Sequence, residues 1–137
     1  MQEDIQLALD TLRSEVCNDI TLLKCTSAYP APIEDANLLT IPDMKQRFGV
    51  KAGLSDHTLG STVPMAAVAL GAEVVEKHFI IDRSIGGPDS EFSMEADEFK
   101  SMVEGIRNVE KALGEVKYPT DPSRLPLTVC GRGREGR

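Results

Sequence analysis

Three short apolar runs, each followed by a loop and a helix-period stretch, restrict this chain to a parallel α/β architecture. The runs are Ile20 to Cys25, Val50 to Ser55 and Val74 to His78. Each is too short for a helix and suits a buried strand. After the first run, Leu38, Ile41, Met44 and Phe48 form one face of a helix within Asn37 to Phe48. Pro42 is tolerated only in its first turn, so the ordered helix is expected from Ile41, and Gly49 stops it. After the second, Val63 to Leu70 is almost entirely apolar, which predicts a short helix buried on most sides. After the third, Phe99, Met102, Val103, Ile106, Val109 and Leu113 stripe a helix from Glu95 to Leu113, capped by Gly114. A further helix opens the chain, with Ile5, Ala8, Leu9, Leu12 and Val16 on one face and a break at Asn18-Asp19.

Parallel strands need crossover connections, and helices serve as those crossovers. The order is thus one helix, then three strand–loop–helix units. Three strands cannot close a barrel. A (β/α)8 TIM barrel takes ~250 residues, and this chain has 137. The pattern therefore reads as the back part of such a barrel, spanning residues 1–118. Residues 119–137 end in Gly131-Arg132-Gly133-Arg134-Glu135-Gly136-Arg137 and are expected to be disordered.

The chain has only two histidines, His57 and His78, and each closes one of the strand runs. Parallel neighbours would bring both imidazoles out at the same end of the sheet. In βα folds that end is the ligand end, where strand C-termini and helix N-termini converge. A lone histidine at a strand end is commonly structural. Two at equivalent ends, with Ser55 and Asp56 beside the first, point to a divalent metal or a catalytic role. Two ligands are too few for a structural zinc site, so an open site completed by water and substrate is expected. Asp56 either orients an imidazole or serves as a turn acid. Thr26 and Ser27, followed by Tyr29, lie in a proline-bearing loop that could line the ligand mouth or merely pack. The loop from Ile81 to Ser90 carries glycines that permit close backbone approach and acids that can hold hydroxyls.

Composition excludes several classes. With 22 acidic against 15 basic residues and a net charge of -7, the chain lacks a nucleic-acid footprint. No apolar run approaches the ~20 residues of a membrane span. The start Met1-Gln2-Glu3-Asp4 shows no signal peptide. Cys17, Cys25 and Cys130 form no C-x-x-C pair, which suits a reducing, cytoplasmic setting.

The motifs Lys24-Cys25-Thr26-Ser27-Ala28-Tyr29-Pro30, Gly53-Leu54-Ser55-Asp56-His57-Thr58, Val68-Ala69-Leu70-Gly71-Ala72, Glu76-Lys77-His78-Phe79 and Gly87-Pro88-Asp89 occur in this order. Together they resemble the sialic acid synthase family of phosphoenolpyruvate-dependent nonulosonate synthases, over about Ile5 to Gly114. Thr26-Ser27 and the run Gly87 to Ser93 are most similar to the pseudaminic acid synthase branch. Sialic acid synthases proper tend to carry Asn where Ser27 stands. The resemblance implies about the last three βα units of a TIM-barrel enzyme. It implies His57 and His78 as ligands to a divalent metal, manganese first, with magnesium or cobalt as alternatives. Ser55 and Ser27 would contact the phosphate of phosphoenolpyruvate, and Tyr29 and Asp89 the acetamido sugar. The implied reaction condenses phosphoenolpyruvate with that sugar and releases phosphate, in a cytoplasmic homo-oligomer that is a dimer in the family. The lysines that bind phosphoenolpyruvate, and an arginine from a small domain after the barrel, have no counterpart here. Two other readings stand beside this one: a non-catalytic partial barrel with weak metal binding, and a different metal-dependent aldolase-type barrel.

Overall fold

The computed structural model describes residues 2–118. The expected tail over 119–137, with Cys130, lies outside the described residues. Helix α1 (Gln2–Ser14) precedes β1 (Thr21–Cys25), α2 (Thr40–Phe48), β2 (Lys51–Asp56), α3 (Thr62–Ala69), β3 (Val75–Lys77) and α4 (Ala96–Leu113). The strands lie in the order β1-β2-β3 and both pairings are parallel. Each crossover carries a helix, as the alternating pattern requires.

Register sorts the strand side chains into two faces, because they alternate along each strand. Cys25 pairs with Ser55, Ser55 with Glu76, and Asp56 with Lys77. Ala52 and Leu54 turn toward the helices and join Ala36, Ile41, Met44, Val63, Ala67 and Ala72 in one core. Leu22, Leu38 and Phe48 pack against it, so the inward face expected for α2 is the observed one. Gly49 ends α2 in the left-handed region, at φ 63°. The opposite sheet face carries Leu23, Gly53, Ser55 and Glu76. At Gly53 a Cβ would stand 2.3 Å from the Val74 carbonyl oxygen, so only glycine allows β3 to approach so closely.

The first helix departs from expectation. Of its five-residue stripe only Leu9 is buried, and Leu12 is exposed. Val16 lies beyond the helix, at φ 64° and 82 % exposed. The reason is a chain reversal: the Val16 and Cys17 amides bond back to the Arg13 and Leu12 carbonyls and close the helix at Ser14. Helix α4 follows its expected span, but only Met102 of its stripe is fully buried. Its N-terminus is secured by a reciprocal capping box between Glu95 and Glu98. Among the described residues no helix is long and apolar enough to cross a membrane.

Candidate functional site

His57 is the residue after β2, and His78 the residue after β3. Since β2 and β3 are parallel neighbours, both imidazoles emerge at the same sheet end. Their ring centroids are 5.1 Å apart with the planes 62° from each other. His57 is buried at 6 % exposure, and the His78 side chain is 31 % exposed. His57 Nδ1 lies 2.8 Å from the Thr26 carbonyl oxygen. That oxygen can only accept, so this geometry puts the proton on Nδ1 and leaves the Nε2 lone pair free. Cys25 Sγ sits 3.9 Å from the same Nδ1.

The loop after β1 is tied to this point by its backbone. The Ala31 amide donates to the His57 carbonyl at 2.8 Å. Tyr29 is thereby laid over the imidazoles, its ring centroid 4.2 Å from His57 and 6.0 Å from His78. The loop after β3 is closed at its base by two bonds: the Met94 amide to the His78 carbonyl, and the Ile80 amide to the Met94 carbonyl, both 2.9 Å. This closure brings buried Phe92 to 5.0 Å from His78 and 5.5 Å from Tyr29. It also brings Asp89 Oδ2 to 3.7 Å from His78 Nδ1. The Asp89 carbonyl is held by the Ser93 amide and hydroxyl, at 3.1 and 2.6 Å.

Of the residues singled out in the sequence, His57, His78, Tyr29 and Asp89 therefore meet in one place. Ser55 lies one rung below, and its hydroxyl donates to Glu76 at 2.7 Å. A hydroxyl so engaged must leave Glu76 to donate to an anion. Ser27 is exposed, two residues beyond β1. Of the two roles open to Asp56, the turn acid is the one observed, and no hydrogen bond joins it to an imidazole. Strand alternation sends it to the helix side of the sheet, opposite to Ser55 and His57. There its carboxylate accepts from the Thr58 amide at 3.0 Å and hydroxyl at 2.9 Å, and from Lys77 at 2.5 Å. The imidazole is oriented instead by the Thr26 carbonyl. Phe92 and Glu76 were not singled out in the sequence. Register with Ser55 would have found Glu76, but no sequence period marks Phe92.

Two carboxylates, Asp82 in the loop after β3 and Glu98 in the first turn of α4, are held below their ordinary range. Glu98 is lowered first by the Glu95 backbone amide and then by the Arg83 guanidinium. Asp82 is lowered by its bonds from Ser84. Both are exposed, and both fix the loop that carries Asp89 and Phe92.

The donor set suits a divalent cation of borderline softness: two imidazoles at one mouth, one with its Nε2 lone pair free. Among the described residues no group of three His, Cys, Asp or Glu side chains could hold a metal ion.

Comparison with known proteins gives four findings. The NeuB family model matches residues 1–118. The pseudaminic acid synthase of Helicobacter pylori is 52% identical over 122 residues, which is 89% of this chain and 36% of that protein. The pseudaminic acid synthase of Campylobacter jejuni subsp. jejuni serotype O:23/36 is 47% identical over 131 residues, or 96% of this chain and 38% of that protein. Among solved structures, the N-acetylneuraminic acid (sialic acid) synthetase of Leptospira borgpetersenii, in complex with citrate, superposes with a TM-score of 0.80 at 35% identity. That superposition covers 90% of this chain and 43% of the synthetase. The chain thus spans less than half the length of these relatives, and its three parallel βα units are an arc of their TIM barrel.

Proposed function

The chain belongs to the NeuB family, and from that premise we propose that it carries the metal and sugar side of a nonulosonate synthase site. The reaction is the condensation of phosphoenolpyruvate with an open-chain acetamido sugar: the enol carbon forms a C–C bond to the aldehyde, water adds to the resulting oxocarbenium carbon, and the C–O bond to phosphate breaks, giving a nonulosonic acid of the pseudaminic type and free phosphate. The observation that supports this most is the convergence of His57, His78, Tyr29 and Asp89 at one strand end.

His57 and His78 would hold the divalent metal, with manganese the first candidate and magnesium or cobalt the alternatives. A metal bound there supplies Lewis-acid polarisation of the sugar aldehyde oxygen. Tyr29 offers its ring as a wall for the sugar, and Phe92 closes the far side and excludes water. Asp89 accepts from a sugar hydroxyl. Ser55 turns its O–H from Glu76 to the phosphate of phosphoenolpyruvate, and Ser27 donates from the end of the first loop. Two hydroxyls alone bind an oxyanion weakly, because charge-assisted donors dominate such sites. Cationic groups from outside the described arc are therefore part of this reading. So is a cytoplasmic setting and assembly as a homo-oligomer, a dimer.

A chimera tests the proposal. Residues 1–118 would replace the matching segment of the Campylobacter pseudaminic acid synthase, and phosphate release would be followed with phosphoenolpyruvate, the acetamido sugar and manganese. Sugar-dependent release that disappears on His57→Ala supports the reading. An active chimera indifferent to His57→Ala overturns it. The second reading, a non-catalytic partial barrel, is favoured by the engagement of the Ser55 hydroxyl by Glu76. It predicts no phosphate release from the chimera.

A further inference from the structure

Asp56 and Lys77 are the residues immediately before His57 and His78, and they face each other as the last rung of the β2–β3 register. We propose that this ion pair is a positioning pair that fixes the separation of the two imidazoles. The inference rests on the reading that those imidazoles share a metal.

Both side chains are 1% exposed, on the helix side of the sheet. Lys77 Nζ is 2.5 Å from Asp56 Oδ2, and it also donates to the Thr58 carbonyl at 2.6 Å. Asp56 Oδ1 accepts from the Thr58 amide and hydroxyl. The Lys77 ammonium is thus bonded to both residues that flank His57, while its own backbone leads directly into His78. The strand pairing ends at this rung, so both histidines stand beyond the last β2–β3 ladder position. The buried pair is the lateral link directly beneath them. A pair with a purely structural role could sit on any rung. This one grips the two residues around one imidazole from the residue next to the other.

Stability and positioning can be separated by choice of variant. Removing one partner of a buried ion pair leaves an unpaired charge and is destabilising. Replacing both by neutral groups of similar size is often nearly neutral. Lys77→Met should therefore lower the unfolding temperature, and the Asp56→Asn/Lys77→Met double variant should regain most of it.

The chain has two histidines, so their ring protons give two assignable sets of signals by nuclear magnetic resonance. The decisive readout is the ring-to-ring Overhauser effect between His57 and His78 in the whole 137-residue chain. It should be present in the wild type, retained in Lys77→Arg, and lost in the double variant despite its regained stability. Manganese affinity, measured separately by calorimetry, should fall about tenfold to a hundredfold in the double variant. A double variant with wild-type ring contact and affinity overturns the proposal. Should the double variant not fold, Asp56→Glu reads the same point. It keeps the charges but lengthens one arm, and an unchanged ring contact there overturns the proposal equally. A wild type that binds no manganese refutes the metal reading alone, because the ring contact still decides the role of the pair.

Discussion

Gly53→Ala should destabilise the chain far more than its single added methyl suggests. The new Cβ would lie 2.3 Å from the Val74 carbonyl oxygen, 2.8 Å from Leu23 Cδ2 and 3.0 Å from Val74 Cβ. Leu23 can rotate aside. The Val74 carbonyl is backbone, and it accepts the Leu54 amide at 2.9 Å, so it can retreat only by weakening that bond. Overpacking of this kind costs ~1–3 kcal/mol, and the weakened hydrogen bond adds ~1 kcal/mol. Alanine's smaller unfolded-state entropy offsets ~0.4–1 kcal/mol. The net loss is about 2 kcal/mol. Urea unfolding measures it directly: at an unchanged slope, the midpoint should fall by roughly 1 M. A midpoint within ~0.3 M of wild type would refute the argument, because β3 would then not be pressed against the centre of β2. The same variant should disturb the pairing that leads into both histidines.

Val16 holds a left-handed backbone with a β-branched side chain that is 82% exposed. Val16→Asn should stabilise the chain by about 0.5–1 kcal/mol, read as a higher urea midpoint. The Glu98 carboxyl is lowered from its ordinary 4.5. Its stabilising bonds are therefore fully present above pH 4.5 and lost as pH falls through the lower folded value. The protection factor of the Glu95 amide, whose N–H bonds the Glu98 carboxylate, should fall there. Glu98→Gln should remove the carboxylate's part of that pH dependence.

The order of elements was legible because each depends on local signals: short apolar runs, helical spacing, Pro42 in a first turn and Gly49 past a helix end. The shared end of His57 and His78 followed from parallel pairing alone. What was not legible depends on register or on backbone groups. The Ser55–Glu76 bond and the Asp56–Lys77 pair require knowing which residue stands opposite which. The Thr26 carbonyl that orients His57 has no side-chain signature. Phe92 reaches His78 because backbone bonds at Met94 close a long loop, which no periodicity reports. The choice between the two roles of Asp56 was open to the sequence: alternation puts it on the face opposite to Ser55 and His57, which leaves the turn role. The stripe of α1 misled because a helix face is buried only where something covers it, and among the described residues little covers Leu12.

The most direct test of the central claim is a calorimetric manganese titration of the chain beside His57→Ala and His78→Ala, with circular dichroism to verify folding. A shared two-imidazole seat predicts binding by the wild type and loss of it in both variants, with secondary structure retained. Unchanged manganese affinity in both variants would contradict it.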